Sequence, residues 1–385
     1  MNILILNYEY PPLGGGAGIV TENLAKSFVA KGHCVFIVTT WFNGEPEYFA
    51  EGNLTIVRLR SKRKYTFQSN PIEMYSWIRY AKAFFDAFNE DIHFDVCLAN
   101  FTLPGGEVAI YLKKKWNLPF IILSHGHDIP WFSPRQMFIW HSLFYFKLKT
   151  ILKTSTYNVL LSEQLKKCAD LFLGKQYHSK NIVIPNGFTF QNFRTAFKGE
   201  EKEMRLLFVG RMVEQKDPLL ALKVFSLLRK KGLPVRMKMI GDGKLKQTLE
   251  NWIRHYQVEH IELTGKISQS QVLREMEEAH LLLAPSREEG MSLAVLEALS
   301  RGMYVLATQI SGNTDVIFEG INGHFIVKRE VEEIANLVKD FYQEKFLKGY
   351  HYPDYYLENF SNSFSWENAA EKYLQIFKKV VNTSK

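Results

Sequence analysis

Short apolar runs alternate with amphipathic stretches along the chain. In the first half the runs cover residues 3–6, 34–39, 54–59, 96–99, 120–123, 159–161 and 182–184. Between the first two lies 20–30, with Leu24 and Phe28 at helical spacing and Gly32 closing the stretch. Continuous apolar strands separated by helices are the pattern of a parallel sheet covered on both faces. The pattern restarts with runs at 206–209, 237–240, 261–263, 281–284 and 304–307. Helices are predicted over 219–229, 245–256, 271–279 and 293–299. Between the halves, 186–205 is polar and carries Gly187, Gly199 and Glu200-Glu201-Lys202-Glu203. It reads as an interdomain linker. The expectation is two doubly wound α/β domains with a cleft between them, ligands binding at the carboxyl ends of the strands. A last amphipathic stretch, 366–380, places Ala370, Tyr373, Leu374 and Phe377 on one helix face.

Composition narrows this. At 385 residues, 46% hydrophobic and 23% charged, the chain has material for sizeable cores and does not read as disordered. A net charge of +8 hints at anionic partners. The basic residues are scattered, so nucleic acid ranks below phosphates or lipid headgroups. Cys34, Cys97 and Cys168 are few and far apart, which argues against disulfides and a zinc cluster. Cys34 and Cys97 lie in apolar runs and read as buried thiols. No signal peptide and no membrane-spanning run is evident, so a cytoplasmic protein is expected.

Four segments carry candidate chemistry. Tyr10-Pro11-Pro12 and Gly14-Gly15-Gly16 follow the first strand, before a helix expected to start near Thr21. Glycines there let amides approach an anion, although Ile19 stands where the dinucleotide fingerprint needs its third glycine. His125, in Ser124-His125-Gly126-His127-Asp128, ends a central strand and can bond a sugar hydroxyl or phosphate. Asp128 invites a metal, but no further ligands complete a site. Arg211 and Lys216 flank a loop after the strand ending at Gly210, and two cations there suit a diphosphate. Glu289 and Glu297 stand eight positions apart around a helix start near Ser292, a good N-cap. Free N–H groups at that start favour phosphate, and carboxylates suit sugar hydroxyls. Each segment alone is also compatible with a solvated loop or surface charge.

Together, in order, these segments resemble the retaining glycosyltransferases of family 4. The match includes Tyr10-Pro11-Pro12, Gly14-Gly15-Gly16, Lys31-Gly32-His33, His125-Gly126, Pro185-Asn186-Gly187, Gly210-Arg211 with Lys216, Gly241-Asp242-Gly243, Thr264-Gly265, Pro285-Ser286, Glu289 with Glu297-Ala298, and Gly302. The resemblance implies the GT-B fold: two doubly wound Rossmann-like domains facing a central cleft, with a C-terminal helix crossing back to the first. Residues 1–190 with 361–385 would form the acceptor domain and 191–360 the donor domain. It implies a catalytic group of His125, Glu289, Arg211 and Lys216, the two cations holding the donor diphosphate. Glu289 would contact the donor sugar and Glu297 the ribose. Gly15, Gly16, Gly290, Met291, Ser292 and Leu293 would offer backbone to the donor, and Gly265 and Lys266 would lie near the base. Two departures are Met291-Ser292, where the family often has Phe-Gly, and Asp315, where Glu is common. They bear on donor identity more than on reaction class.

The implied reaction moves a sugar from a UDP- or GDP-sugar to a hydroxyl of a glycan or lipid-linked glycan. Such a reaction belongs to cell-surface polysaccharide or lipopolysaccharide assembly. Anomeric configuration would be retained by front-face substitution, with no nucleophile assigned to Glu289. No Asp-x-Asp pair occurs, so neither a metal nor another cofactor is expected. Residues 131–153 mix Trp131, Phe138, Trp140, Phe144 and Phe146 with Arg135, Lys147, Lys149 and Lys153. They suit either an interfacial helix at the inner membrane face or an aromatic core helix. Rival readings are a sugar-nucleotide epimerase or phosphorylase of the same fold, an inactive binding protein, a nucleotide-dependent oxidoreductase and a nucleic-acid binder.

Overall fold

The structure is a computed structural model. It describes residues 1–13, 15–65, 69–88, 92–132, 134–190, 193–197 and 201–384. Gly14, Gly199 and Glu200 lie outside the described residues, as do the side chains of 134–136. The chain divides into two compact units, Met1–Gly187 with Trp366–Lys385, and Phe188–Ser365.

The first unit contains, in order, β1 (Asn2–Leu6), α1 (Gly16–Ala30), β2 (Cys34–Thr40), β3 (Tyr48–Glu51), β4 (Leu54–Leu59), α2 (Pro71–Ala87), β5 (Val96–Asn100), α3 (Gly106–Trp116), β6 (Phe120–Ser124), α4 (Pro134–Leu143), α5 (Tyr145–Thr154), β7 (Tyr157–Leu160), α6 (Glu163–Leu173) and β8 (Asn181–Val183). Its sheet runs β3-β4-β2-β1-β5-β6-β7-β8. Only the β3–β4 pairing is antiparallel. Ile3, Leu4, Ile5 and Leu6 are fully buried because helices cover both faces. Helix α1 begins at Gly16, earlier than the sequence suggests, so Gly16 and Gly18 sit in its first turn. It buries Val20, Leu24 and Phe28. Helix α2 opens with a reciprocal cap between Asn70 and Glu73 and with Pro71 in the first turn.

The second unit contains β9 (Ala196–Phe197), β10 (Met204–Val209), α7 (Pro218–Lys230), β11 (Val235–Ile240), α8 (Lys246–His255), β12 (Ile261–Gly265), α9 (Gln269–Glu278), β13 (Leu281–Ala284), α10 (Leu293–Ser300), β14 (Tyr304–Thr308), α11 (Asn313–Val316), β15 (Gly323–Ile326), α12 (Val331–Phe341), β16 (Tyr350–His351) and α13 (Asp354–Phe364). Its sheet is parallel throughout, in the order β12-β11-β10-β13-β14-β15. The last helix, α14 (Trp366–Ser384), belongs to the first unit. There it stacks Phe377 and Tyr373 on Phe28 of α1, at centroid distances of 5.5 and 6.3 Å.

The polar stretch 186–205 contains the crossing between the units, between Gly187 and Phe188, and its later part is held in the second unit. Arg194 donates from Nη1 to the Ala279 carbonyl at 2.7 Å and from Nη2 to that of Glu277, while β9 pairs with β16. These bonds tie the stretch into the second unit. Cys34 is exposed rather than buried, because it is the first residue of β2 and precedes the covered part of the strand. Cys97, in mid-strand, is buried as expected.

Glycines set the loops at the carboxyl ends of β10 and β11. Gly241 has φ +138°, and a Cβ there would lie 1.9 Å from the Gly210 carbonyl oxygen. Gly241→Ala is therefore expected to destabilise the second unit by more than about 1 kcal/mol. Thermal unfolding monitored by circular dichroism measures this; an unchanged midpoint would refute it.

Candidate functional site

In each large sheet the strand order reverses beside that sheet's own first strand, β1 or β10, the point at which open α/β sheets commonly bind ligands. In the first unit the reversal lies between β1 and β5. Asn7, just past β1, donates from Nδ2 to the Thr21 hydroxyl at 2.8 Å. Thr21 donates to Asn100 Oδ1 at 3.2 Å, at the end of β5. His125 Nε2 meets the same oxygen at 2.9 Å from the end of β6. Because Asn100 Oδ1 only accepts, this chain assigns the proton to Nε2 and leaves Nδ1 as an acceptor. Burial pushes the His125 pKa down to about 4, outweighing the opposite pull of Asp128, so the ring is neutral near pH 7.

Asp128 is a structural hub. Its Oδ1 accepts from the amides of His125 and Gly126 at 3.1 and 3.2 Å. Its Oδ2 accepts from the amide and hydroxyl of Thr102 at 2.8 and 3.1 Å. Phe101 packs its ring 4.7 Å from His125 and has φ +63°, an unusual conformation for an aromatic residue. The β5 and β6 loops are thus locked together around the imidazole. At Gly15 an added Cβ would meet nothing within 4 Å, so nothing in this unit's packing demands glycine there.

In the second unit the reversal lies between β10 and β13. Arg211 donates to Gln215 Oε1 at 3.0 Å, and Gln215 Nε2 donates to the Glu288 carbonyl at 2.9 Å. The Arg287 amide donates to the Gln215 carbonyl at 2.7 Å. These bonds fasten the β10 loop to the β13 loop. Across that seam the Lys216 ammonium contacts Glu289 Oε1 directly, with both side chains largely removed from water. Ser286 donates to the same oxygen at 3.0 Å. Asp217, in the left-handed conformation, caps α7 by accepting from the Leu220 amide and pairs with Arg287 and Arg329. Ser292 occupies the N-cap of α10 without a side-chain bond to the helix. On α10, Glu297 accepts from Gln269 Nε2 at 2.6 Å, and burial raises its pKa to about 7.

The first unit thus offers a fixed neutral imidazole. The second offers a cation–carboxylate pair beside a helix N-terminus. Residues 14–191 match the family described as Glycosyltransferase Family 4, and residues 189–359 match Glycosyl transferases group 1. The chain belongs to glycosyltransferase family 4. A relative, the uncharacterized glycosyltransferase MJ1178 of Methanocaldococcus jannaschii, is 26% identical over 99% of both chains. Among solved structures, sucrose-phosphate synthase of Thermosynechococcus elongatus superposes with a TM-score of 0.81 at 16% identity, over 99% of each chain. HepE of Anabaena, solved in complex with UDP-glucose, gives 0.73 at 14% identity, over 98% of this chain and 100% of that one. These likenesses show the GT-B fold.

The residues expected from the sequence to form the site fall in two sets. Arg211, Lys216, Glu289 and residues 290–293 lie on the β10 and β13 loops of the second unit and the start of α10. Glu297 accepts from Gln269 of α9, and Gly265 ends the edge strand β12, with Lys266 next in the chain. Gly15, Gly16 and His125 belong to the first unit. Sequence reasoning missed Asn7, Thr21, Asn100 and Gln215. Asn7 and Asn100 carried a usable signal, since each closes an apolar run at a strand's carboxyl end.

Two outcomes follow from the fixed groups. Asn100→Asp sets a carboxylate against His125 Nε2 and raises the imidazole pKa, so the acid limb of the kcat–pH profile moves upward. Asn100→Ala lowers kcat by about tenfold, equivalent to losing one hydrogen bond of about 1.4 kcal/mol. An unshifted profile in the Asp variant refutes the assignment. For Glu297, a raised folded-state pKa favours the protonated form. Its contribution to stability is present below the unfolded carboxyl pKa and is lost as pH rises through about 7. Glu297→Gln is expected to unfold roughly 2 °C above the parent at pH 8 and with it at pH 4.5; scanning calorimetry at both pH values decides.

Proposed function

We propose that this glycosyltransferase transfers a sugar from a nucleotide-sugar donor, a UDP- or GDP-sugar, to a hydroxyl of a glycan or lipid-linked glycan. The observation that carries the reading is the Lys216–Glu289 contact seated between the β10 and β13 loops, with Arg211 held alongside through Gln215. A donor diphosphate needs fixed positive charge, and a sugar needs a strong acceptor beside it. In the free protein the two groups satisfy each other. HepE was solved with UDP-glucose, which supports a nucleotide-sugar donor here.

In this reading Arg211 and Lys216 offset charge on the departing nucleoside diphosphate, aided by the free amides of Leu293 and its neighbours. Glu289, released from Lys216, accepts from donor sugar hydroxyls, and Glu297 accepts from the ribose. His125 offers Nδ1 to a sugar hydroxyl. The acceptor oxygen bonds to the anomeric carbon on the face from which the phosphate oxygen leaves. The electron pair of the broken bond stays on that oxygen, which takes the acceptor proton. Configuration is retained without a covalent intermediate, and the charge balance requires no metal. We place the enzyme at the inner membrane face, where a lipid-linked acceptor would be met.

The test is a panel of UDP-, GDP- and ADP-sugars, scored by thermal shift and by sugar release. A UDP- or GDP-sugar is expected to stabilise and turn over with EDTA present. Lys216→Ala should lower kcat by about 100-fold or more. Proton NMR of the released or transferred sugar should show the donor's anomeric configuration. No shift and no turnover with any donor would overturn the assignment in favour of a binding protein.

A further inference from the structure

We propose that the outer face of α4 and α5 is a membrane-docking surface that seats the first unit on an anionic bilayer. That the bilayer carries the acceptor rests on the transfer reading above; the docking itself does not. Ile139, Leu143 and Phe146 are 75%, 68% and 83% exposed, and Phe138 and Trp140 are exposed beside them. The opposite side of α5 buries Leu148, Ile151 and Leu152 in the core. Helical hydrogen bonds continue across the break between α4 and α5: the Phe144 amide donates to Trp140 at 3.0 Å and the Leu148 amide to Phe144 at 2.9 Å. Ile139, Leu143, Lys147 and Thr150 therefore follow one another along a single exposed stripe. An apolar face of this size on a monomer marks an interaction surface.

Charge identifies the occupant. Residues 129–162 contain no Asp or Glu and carry Arg135, Lys147, Lys149 and Lys153, of which Lys147 pairs with Glu107 of α3 at 3.2 Å. At the carboxyl end of α5, Lys113 donates to the Thr154 carbonyl at 3.1 Å, and Lys180 donates to those of Lys153 and Ser155 at 2.6 and 2.7 Å. Cations thus gather at the carboxyl end of α5, beyond the apolar stripe. Large aromatics and aliphatics bordered by lysines match the interface of an anionic bilayer, where rings enter the headgroup layer and ammonium groups meet lipid phosphates. A two-fold contact with a second copy would instead set this acid-free stretch against itself, and Glu107 of α3, which borders it, already pairs with Lys82 and Lys147.

The face also reaches the candidate site. His141 of α4 donates from Nε2 to the His127 carbonyl at 2.8 Å, within the loop that positions His125. Pro130, Trp131, Phe138 and Tyr145 line a small apolar pocket between that loop and the two helices. A chain docked by this face presents the loop carrying His125 next to the bilayer.

The experiment is flotation of the whole protein with vesicles of phosphatidylcholine, with and without phosphatidylglycerol. The protein is expected to float with the anionic vesicles and to lose binding as salt rises. A triple variant, Ile139→Ser, Leu143→Ser and Phe146→Ser, should bind at least roughly tenfold more weakly. Lys147→Gln with Lys153→Gln should weaken binding to anionic vesicles only. The serine variant's unfolding midpoint and its release of sugar from a soluble donor should match the parent, which separates failed docking from failed chemistry. Docking is overturned if the parent does not float, or if parent and serine variant float equally. It is also overturned if sedimentation finds a dimer that the serine variant abolishes while vesicles capture neither.

Discussion

An ammonium and a carboxylate held in contact away from bulk water are expensive to leave unpaired, and the second unit is built around such a pair. Lys216 and Glu289 come from loops after neighbouring strands, so their contact exists only if both loops hold their shape. Gln215 provides that through three bonds, one to Arg211 and two to the backbone of residues 287 and 288. Replacing such a pair with apolar side chains is often neutral or stabilising, so stability does not account for it. In the proposed reading its use lies in exchange: a ligand bringing phosphate to Lys216 and hydroxyls to Glu289 would give each group a new partner as it separates them. A preformed site of this kind avoids paying for its ordering when the ligand arrives.

The first unit solves a different problem with neutral groups. An imidazole that could protonate would change its hydrogen bonding across the physiological range. Burial removes that freedom, and the row Asn7, Thr21, Asn100 fixes which nitrogen carries the proton. Asp128 spends its acceptor capacity on backbone and on Thr102, so its charge holds the loop rather than a cation. The unusual backbone of Phe101 is consistent with strain tolerated where a functional loop is over-determined by its neighbours.

What the sequence disclosed follows from burial. Strands such as β1, β5 and β6 are covered on both faces and read as unbroken apolar runs. The edge strand β3 is exposed along its whole length and left no such trace. Charged candidate residues were legible because Arg, Lys and Glu at strand ends are chemically conspicuous. Gln215 was not, since its role arises from contacts between loops distant in sequence. Residues 131–153 show the limit of composition: Phe132, Phe144 and Tyr145 pack against the core while Ile139, Leu143 and Phe146 are exposed, and the sequence does not sort them. Cys34 failed for a related reason, since membership of an apolar run says nothing about which residue of the run lies beyond the cover.

The departure at Met291-Ser292 can be weighed by asking what shapes that turn. Gly312, with φ +77°, presses against it so closely that a Cβ would lie 2.5 Å from the Gly290 carbonyl oxygen and 2.6 Å from the Met291 Cα. The turn before α10 is therefore moulded by backbone meeting backbone. Met291 and Ser292 are buried, and Ser292 makes no side-chain cap that could shift the helix start. The amides leading into α10 thus keep their direction whatever side chains stand at these two positions. Changes there act on the shape offered to a sugar, while the charge-bearing framework of Lys216, Glu289 and the helix N-terminus is set by glycine and by Gln215.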